Sequence, residues 1–121
     1  MFGAEDTESY KRLTEIVTDA INLRRTSLWY FDDDGQYLRC IDSYDRESKG
    51  HTQGTTLARP DLTRLLNLLR NGEELNARDA DNDDRLAELY QVYLQPLGCE
   101  SLLAVPIRYH GQAVGGLWFE H

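Results

Sequence analysis

Two pairs of apolar strands, one near each end of the chain, constrain the fold more than any other feature of this sequence. Residues 101–109 and 113–119 flank a His110-Gly111 turn, and residues 27–31 and 37–41 flank a turn that ends at Gly35. Apolar runs joined by short glycine-containing turns are typical of β-hairpins. We predict two antiparallel hairpins in one sheet, covered by the helical middle of the chain, an arrangement that can enclose a small molecule.

Three segments show the apolar spacing of helices. Residues 5–24 form an amphipathic pattern, and we expect this helix to lie against one face of the sheet. A second helix, rich in leucine, is closed by Asn71-Gly72, and a third is stopped by Pro96 and Gly98. The apolar positions of these two helices are Leu62, Leu65, Leu66, Leu69, Leu86, Leu89, Tyr90, Tyr93 and Leu94.

The segments between these helices carry weaker signals. Residues 45–56 are rich in glycine, serine, threonine and charge, and we predict a long loop there. Residues 73–77 predict a short edge strand. We expect residues 1–6 to be disordered.

Length and charge limit the function. A chain of 121 residues has room for one domain with a core. Its formal net charge is −8, from 13 basic and 21 acidic residues, so it shows no basic stripe for nucleic acid or an anionic membrane. Two cysteines and no secretory leader favour the reducing cytoplasm. No apolar run reaches the roughly 20 residues that cross a bilayer.

The candidate reactive groups have structural explanations. Cys40 and Cys99 are candidates for redox chemistry, but buried packing is the ordinary role of such residues. The aspartates at 79, 81 and 83 copy the start of a calcium loop, but Asp84 and Tyr90 stand where that loop needs Gly and Glu. We predict no metal site.

Aromatic residues are the more useful clue to a binding site. They are distributed over the predicted strands and the third helix, where they would either line a cavity for a planar ligand or fill it. Both alternatives stay open at this point. The residues that we expect to line a ligand pocket are Trp29, Tyr44, His51, Tyr93 and Ser101.

No catalytic motif is visible in this chain. It lacks a nucleophile elbow and a phosphate-binding glycine loop, and Gly115-Gly116 lies within a predicted strand, where it allows close backbone approach. We expect the chain itself not to be an enzyme, and its residues indicate no particular cofactor.

The order of segments resembles a GAF domain, the small-molecule-sensing relative of the PAS fold. The resemblance covers residues 8–120. It is carried by residues 26–35, by Tyr44-Asp-Arg46 with His51, Gly54 and Leu57, by the 79–84 turn, and by residues 96–107 and 114–117.

The resemblance implies an α+β fold with a central antiparallel sheet of five or six strands. A terminal helix would lie on one face, and the middle helices and loops would cover a ligand pocket on the other. In that family such domains sit upstream of histidine kinases, diguanylate cyclases or transcription-activating modules, and many dimerise through terminal helices. Residues 1–121 would then be one GAF-like domain without the C-terminal helix and output domain of its parent protein.

Three functions follow as expectations. The first is a cytoplasmic sensory domain that binds an unidentified small ligand, dimerises through its N-terminal helix, or does both, to control an output domain. The second is a ligand-free interaction domain whose pocket is filled by its own aromatic side chains. The third is a thiol redox sensor or reductase that uses Cys40 and Cys99. Motifs for cyclic nucleotides, bilins and methionine sulfoxide reduction are absent from the sequence.

Overall fold

The computed structural model describes residues 6–58, 60 and 62–121, and the predicted disorder of residues 1–6 falls almost wholly outside this range. The helix that we call α3 spans residues 87–97, where a π-helical turn, Tyr90–Leu94, separates two short α-helical pieces. The remaining α-helices and strands are α1 (Asp6–Ala20), β1 (Arg25–Phe31), β2 (Tyr37–Asp45), β3 (Gly50–Thr52), β4 (Thr56–Ala58), α2 (Thr63–Arg70), β5 (Leu75–Ala77), β6 (Leu102–Tyr109) and β7 (Gln112–Glu120), and two short 3₁₀ helices, Ala80–Asn82 and Asp84–Leu86, precede α3.

The strands form one antiparallel sheet in the order β3-β2-β1-β7-β6-β5, with β4 paired to β2 beside this path. The two hairpins, β1-β2 and β6-β7, join through β1 and β7, where Leu28 lies opposite Leu117. A Cβ added to Gly115 would lie 1.9 Å from the Trp29 carbonyl oxygen, so glycine permits the close approach of these strands. The predicted α+β fold and its single continuous sheet are confirmed.

The helices lie on both faces of the sheet. Helix α1 packs on β1 and β2, and α2 contacts β5, β6 and β7. The leucines predicted for α2 are 0–1 % exposed and belong to the main core. This core lies between the sheet and the α2 and α3 segments, as the apolar spacing predicted.

Helix α1 docks on the sheet through threonines. Thr14 and Thr18 are fully buried, whereas Leu13 and Ile16 are 42 % and 66 % exposed. The hydroxyl of Thr14 donates to the carboxylate of Asp42 on β2, at 2.6 Å. A buried carboxylate needs donors at this contact, so part of the apolar pattern of α1 faces outward instead of toward the sheet.

One extra residue in β2 changes the face to which its side chains point. Trp29 pairs with Cys40, but the preceding Leu28 pairs with Asp42, which leaves Ile41 as the residue of a β-bulge. Leu38 and Cys40 therefore belong to the main core, while Asp42 contacts α1.

Three local expectations need correction. The predicted loop over residues 45–56 contains β3 and the start of β4, because both short segments pair with β2. Helix α1 ends at Ala20 rather than residue 24. Pro96 lies at the start of a final helical turn, where a missing amide proton is tolerated, and the helix ends at Gly98 with φ of 71°.

None of the helices in the described ranges is long and apolar enough to cross a membrane.

Candidate functional site

Three aromatic side chains meet in the main core, and we call them the aromatic cluster: Trp29 of β1, Tyr93 of α3 and Trp118 of β7. The centroids of the two indole rings lie 4.5 Å apart, and the Tyr93 ring contacts both edge-on, with centroid distances of 5.5 and 5.6 Å. Both tryptophans are 0 % exposed and Tyr93 is 8 % exposed. Since no accessible space adjoins the tryptophans, the cluster fills this part of the core rather than lining an open pocket.

A fully buried carboxyl group, Glu120, lies beside the aromatic cluster. One of its oxygens accepts a hydrogen bond from the Tyr93 hydroxyl at 2.7 Å, and the other accepts from the Ser27 hydroxyl. The Trp29 indole donates in turn to the Ser27 oxygen at 2.7 Å. These bonds tie α3 to strands β1 and β7, across 27 and 93 positions of sequence.

Burial dominates the titration of this network. It raises the pKa of Glu120 although the two hydroxyl donors act in the opposite direction. Burial and the neighbouring carboxyl also raise the pKa of Tyr93 well above its usual range. The network therefore favours neutral groups, which suits hydrogen bonding inside an apolar core.

One indole in the aromatic cluster has an unused donor. The Nε1 atom of Trp118 is buried and has no hydrogen-bond partner among the described residues. An unsatisfied buried donor costs about 1–3 kcal/mol. A water molecule or ligand acceptor at this point would recover part of that cost.

Two of the predicted pocket residues, Tyr44 and His51, lie on the opposite side of the sheet. Their rings are 4.9 Å apart, and His51 contacts Glu15 of α1 as well as Asp42 of β2. The sheet separates them from Trp29 and Tyr93, so the predicted residues divide between two places. The bulge at Ile41 causes this division, because it turns the end of β2 toward α1.

The fifth predicted residue, Ser101, lines an open apolar groove on the α1 side of the sheet. The groove has a volume of about 530 Å³ and lies between the end of α1, β5 and the hairpin β6-β7. Its apolar lining includes Val17, Ile21, Leu23, Leu102, Leu103 and Phe119.

A family model decides the relationship of this chain to known proteins. The model for the GAF domain matches residues 7–121. The chain belongs to the GAF family. Among curated proteins, no sequence matches it significantly.

Solved structures with the same fold include several GAF domains from bacterial signalling proteins. The GAF domain of PixJ from Thermosynechococcus elongatus is 18 % identical with a TM-score of 0.78, over 97 % of this chain and 69 % of that one. The GAF domain/HD domain protein from Geobacter sulfurreducens is 20 % identical with a TM-score of 0.70, over 95 % and 73 %. A domain of a two-component sensor histidine kinase protein from Sinorhizobium meliloti 1021 is 17 % identical with a TM-score of 0.68, over 99 % and 75 %.

Both cysteines of this GAF domain are buried free thiols. Burial, together with Glu120, raises the pKa of Cys40 to about 12 and that of Cys99 to about 11. Thiol chemistry requires the thiolate, which is scarce at neutral pH under these conditions. The geometry therefore disfavours the redox hypothesis. Among the described residues, no group of three or more histidine, cysteine or acidic side chains is arranged to hold a metal ion.

The sequence interpretation of this GAF domain missed Glu120 and Ser27. Both follow from strand periodicity, because side chains two residues apart share one face of a strand. Ser27 is two residues from Trp29, and Glu120 is two residues from Trp118. A polar residue two positions from a buried tryptophan on the same strand is the sequence signal that could have identified them.

Proposed function

We propose that this GAF domain is a regulatory domain of a signal-transduction protein and acts by associating with a second copy of itself through α1. The aromatic cluster is the observation that carries this choice. Because its rings fill the core beneath α3, the domain has the closed interior expected of an interaction module. Regulation through surface packing then fits better than regulation through an occupied pocket.

The exposed apolar residues of α1 support this surface. Leu13 and Ile16 lie three positions apart, next to one another on the helix surface, and both project away from the sheet. Ser9 and Ala20 extend the same exposed stripe. Within this stripe Leu13, Ile16 and Ala20 are apolar and are spaced by three and four positions, which is typical of helices that pair in coiled coils.

The structural neighbours supply the context for this proposal. Their names include a sensor histidine kinase protein and a GAF domain/HD domain protein. We infer that an output domain lies in the same parent chain and that the protein is cytoplasmic. The domain itself would then transmit a signal rather than catalyse a reaction.

Sedimentation equilibrium over a wide range of protein concentration tests the association. We expect wild type to dimerise and Ile16→Glu to remain monomeric, because a charge cannot be buried between two apolar helices without a partner. Tyr109→Glu is the matched control, since Tyr109 is also 66 % exposed but lies at the β6-β7 turn. A monomeric wild type, or equal effects of both variants, contradicts the proposal.

The unused donor of Trp118 favours a second candidate function, the binding of a small planar ligand at the aromatic cluster. Such a ligand would present an acceptor to Nε1 of Trp118 and displace Tyr93. Because the chain has only two tryptophans and both lie in this cluster, intrinsic fluorescence reports on the site alone.

A screen of nucleotides, amino acids, haem and flavins by fluorescence and thermal shift tests this candidate. We expect Trp118→Phe, which keeps a ring but removes the donor, to weaken binding of any ligand found by about tenfold, equivalent to 1.4 kcal/mol. Unchanged fluorescence and melting temperature throughout the screen would reject it.

A further inference from the structure

A polar cluster connects α1 to strands β2 and β3, on the face of the sheet away from the aromatic cluster. His51 lies on β3, and its two ring nitrogens contact two different carboxylates. Nδ1 is 2.7 Å from Oδ2 of Asp42, and Nε2 is 2.5 Å from Oε1 of Glu15. The imidazole therefore bridges the sheet and the helix.

The partners of His51 require both of its nitrogens to be protonated. A carboxylate oxygen accepts hydrogen bonds but does not donate them, and a neutral imidazole carries only one N–H. Two short contacts to two carboxylates are satisfied together only by the imidazolium. The geometry thus describes a bound proton that links Glu15 to Asp42.

Asp42 is the fixed end of this bridge. Its side chain is fully buried and accepts two further hydrogen bonds, from the hydroxyl of Thr14 at 2.6 Å and the amide of Gln53 at 2.5 Å. Glu15 is the free end, because its side chain is 48 % exposed. The bridge is therefore anchored in the sheet and open to solvent at the helix.

The two charged groups that contact the imidazole are acidic. The carboxylate of Glu15 interacts with the imidazole from α1, and the carboxylate of Asp42 does so from β2. The ring of Tyr44, also on β2, is tilted by 46° against the imidazole; the charges near Tyr44 are those of Asp19 and Glu15 on α1, Asp45 on β2, and Arg46. Both charged partners of His51 therefore favour its protonated form.

We propose that His51 is a proton-operated latch, which fastens the middle of α1 to the sheet when it holds two protons and releases Glu15 when it loses one. On deprotonation the remaining N–H stays with buried Asp42, since removing a donor from a buried carboxylate is costly. The bare Nε2 then faces the carboxylate of Glu15, and that side chain turns into solvent.

The latch acts next to the surface proposed for association. Glu15 directly precedes Ile16 on α1. A change in how the middle of α1 is held would alter the stripe that pairs with a second copy. This regulatory use depends on the proposed function, whereas the proton-binding site itself does not.

The sign of the pH dependence follows from the balance of three effects. Burial is the largest single effect and lowers the pKa of His51, but the hydrogen bonds and the negative charges of Glu15 and Asp42 together outweigh it, so the pKa lies above the ordinary value of 6.5. A raised folded-state pKa gives stability that is complete below the unfolded value. The latch is therefore closed in mildly acidic solution, and it opens as pH rises through the raised pKa.

Nuclear magnetic resonance of histidine rings and isoleucine methyl groups, recorded as pH is varied, tests the latch directly. A His51→Gln variant assigns the His51 signal. We expect Glu15→Gln to weaken proton binding by about threefold to tenfold, since a half-exposed partner is partly screened by solvent. Glu8→Gln is the matched control, because Glu8 lies on the same helix and pairs with Lys11.

The methyl signals report whether the helix responds. We expect the Ile16 methyl signals on α1 to shift with the same midpoint as His51, and those of Ile107 on β6 to stay constant. The pH-dependent shift of the Ile16 methyl signals should vanish in His51→Gln. A His51 midpoint at or below 6.5, equal effects of the Glu8 and Glu15 variants, or an Ile16 signal that does not follow His51 would overturn the latch. A monomeric protein that still shows the shared midpoint would refute only the association.

Discussion

Substituting alanine for Gly115 perturbs the contact that joins the two hairpins into one sheet. The added methyl group would lie 1.9 Å from the carbonyl oxygen of Trp29 and 2.9 Å from its carbonyl carbon. An ordinary contact begins at 3.4 Å, so β1 and β7 would have to separate locally by about 1.5 Å. The obstacle is backbone, which cannot rotate away as a flexible side chain would.

The cost follows from the hydrogen bonds that such a separation breaks. Moving two strands apart by this distance takes their N–H and C=O groups beyond hydrogen-bonding range. Two lost ladder bonds contribute about 1–3 kcal/mol, and loosened packing around Trp29 adds to this. We expect Gly115→Ala to lower the free energy of unfolding by about 3 kcal/mol or more.

The neighbouring glycine provides the control. A Cβ at Gly116 would meet Nε1 of Trp118 at 3.1 Å and no other atom closer than 3.4 Å. Replacing strand glycine by alanine also gains about 0.5–1 kcal/mol from reduced chain entropy. We therefore expect Gly116→Ala to change the free energy of unfolding by about 1 kcal/mol or less.

Urea unfolding followed by tryptophan fluorescence measures both variants. A loss of 3 kcal/mol lowers the urea midpoint of a small domain by about 2 M. If Gly115→Ala is no less stable than Gly116→Ala, the close approach of β1 and β7 does not require glycine at position 115.

Three further predictions concern the core beside the sheet. Neither Cys40 nor Cys99 should react with a disulfide reagent faster than the domain unfolds, as measured by thiol release in native buffer, and rapid release would revive a redox role. Tyr93→Phe should cost about 1–3 kcal/mol in urea unfolding, because it leaves the buried carboxyl of Glu120 short of a donor, and an unchanged midpoint would contradict this. The raised pKa of Glu120 means that wild type should lose stability as pH rises from about 4.5 through that pKa, and Glu120→Gln should remove this slope; equal slopes would refute it.

Local patterns were sufficient to predict the framework of this fold. The hairpins, the buried leucines of α2 and the short strand β5 each depend on residues near one another in sequence. Their periodicity reports burial directly, because one face of a helix or strand must be apolar to join a core. The α+β arrangement and its GAF relationship followed from the order of these elements.

The candidate site could not be predicted in the same way. The bulge at Ile41 has no sequence signature, yet it places Tyr44 and His51 on the opposite face from Trp29. The bond between Ser27 and Glu120 joins residues 93 positions apart, and only the completed sheet brings them together. Propensity and spacing describe segments, whereas these contacts depend on how the segments assemble.

The single unpaired residue in β2 has a consequence for how this domain tolerates change. Upstream of it the strand serves one hydrophobic layer, and downstream it serves the other, so both faces of β2 depend on Ile41 staying outside the regular alternation. If Ile41 were forced into regular pairing with β1, Asp42 would move to the leucine layer and Thr14 would lose its acceptor. Deletion of Ile41 would instead place Asp42 directly after Cys40, where plain alternation already directs it toward α1. Removing this residue should therefore disturb the two layers less than straightening the strand around it.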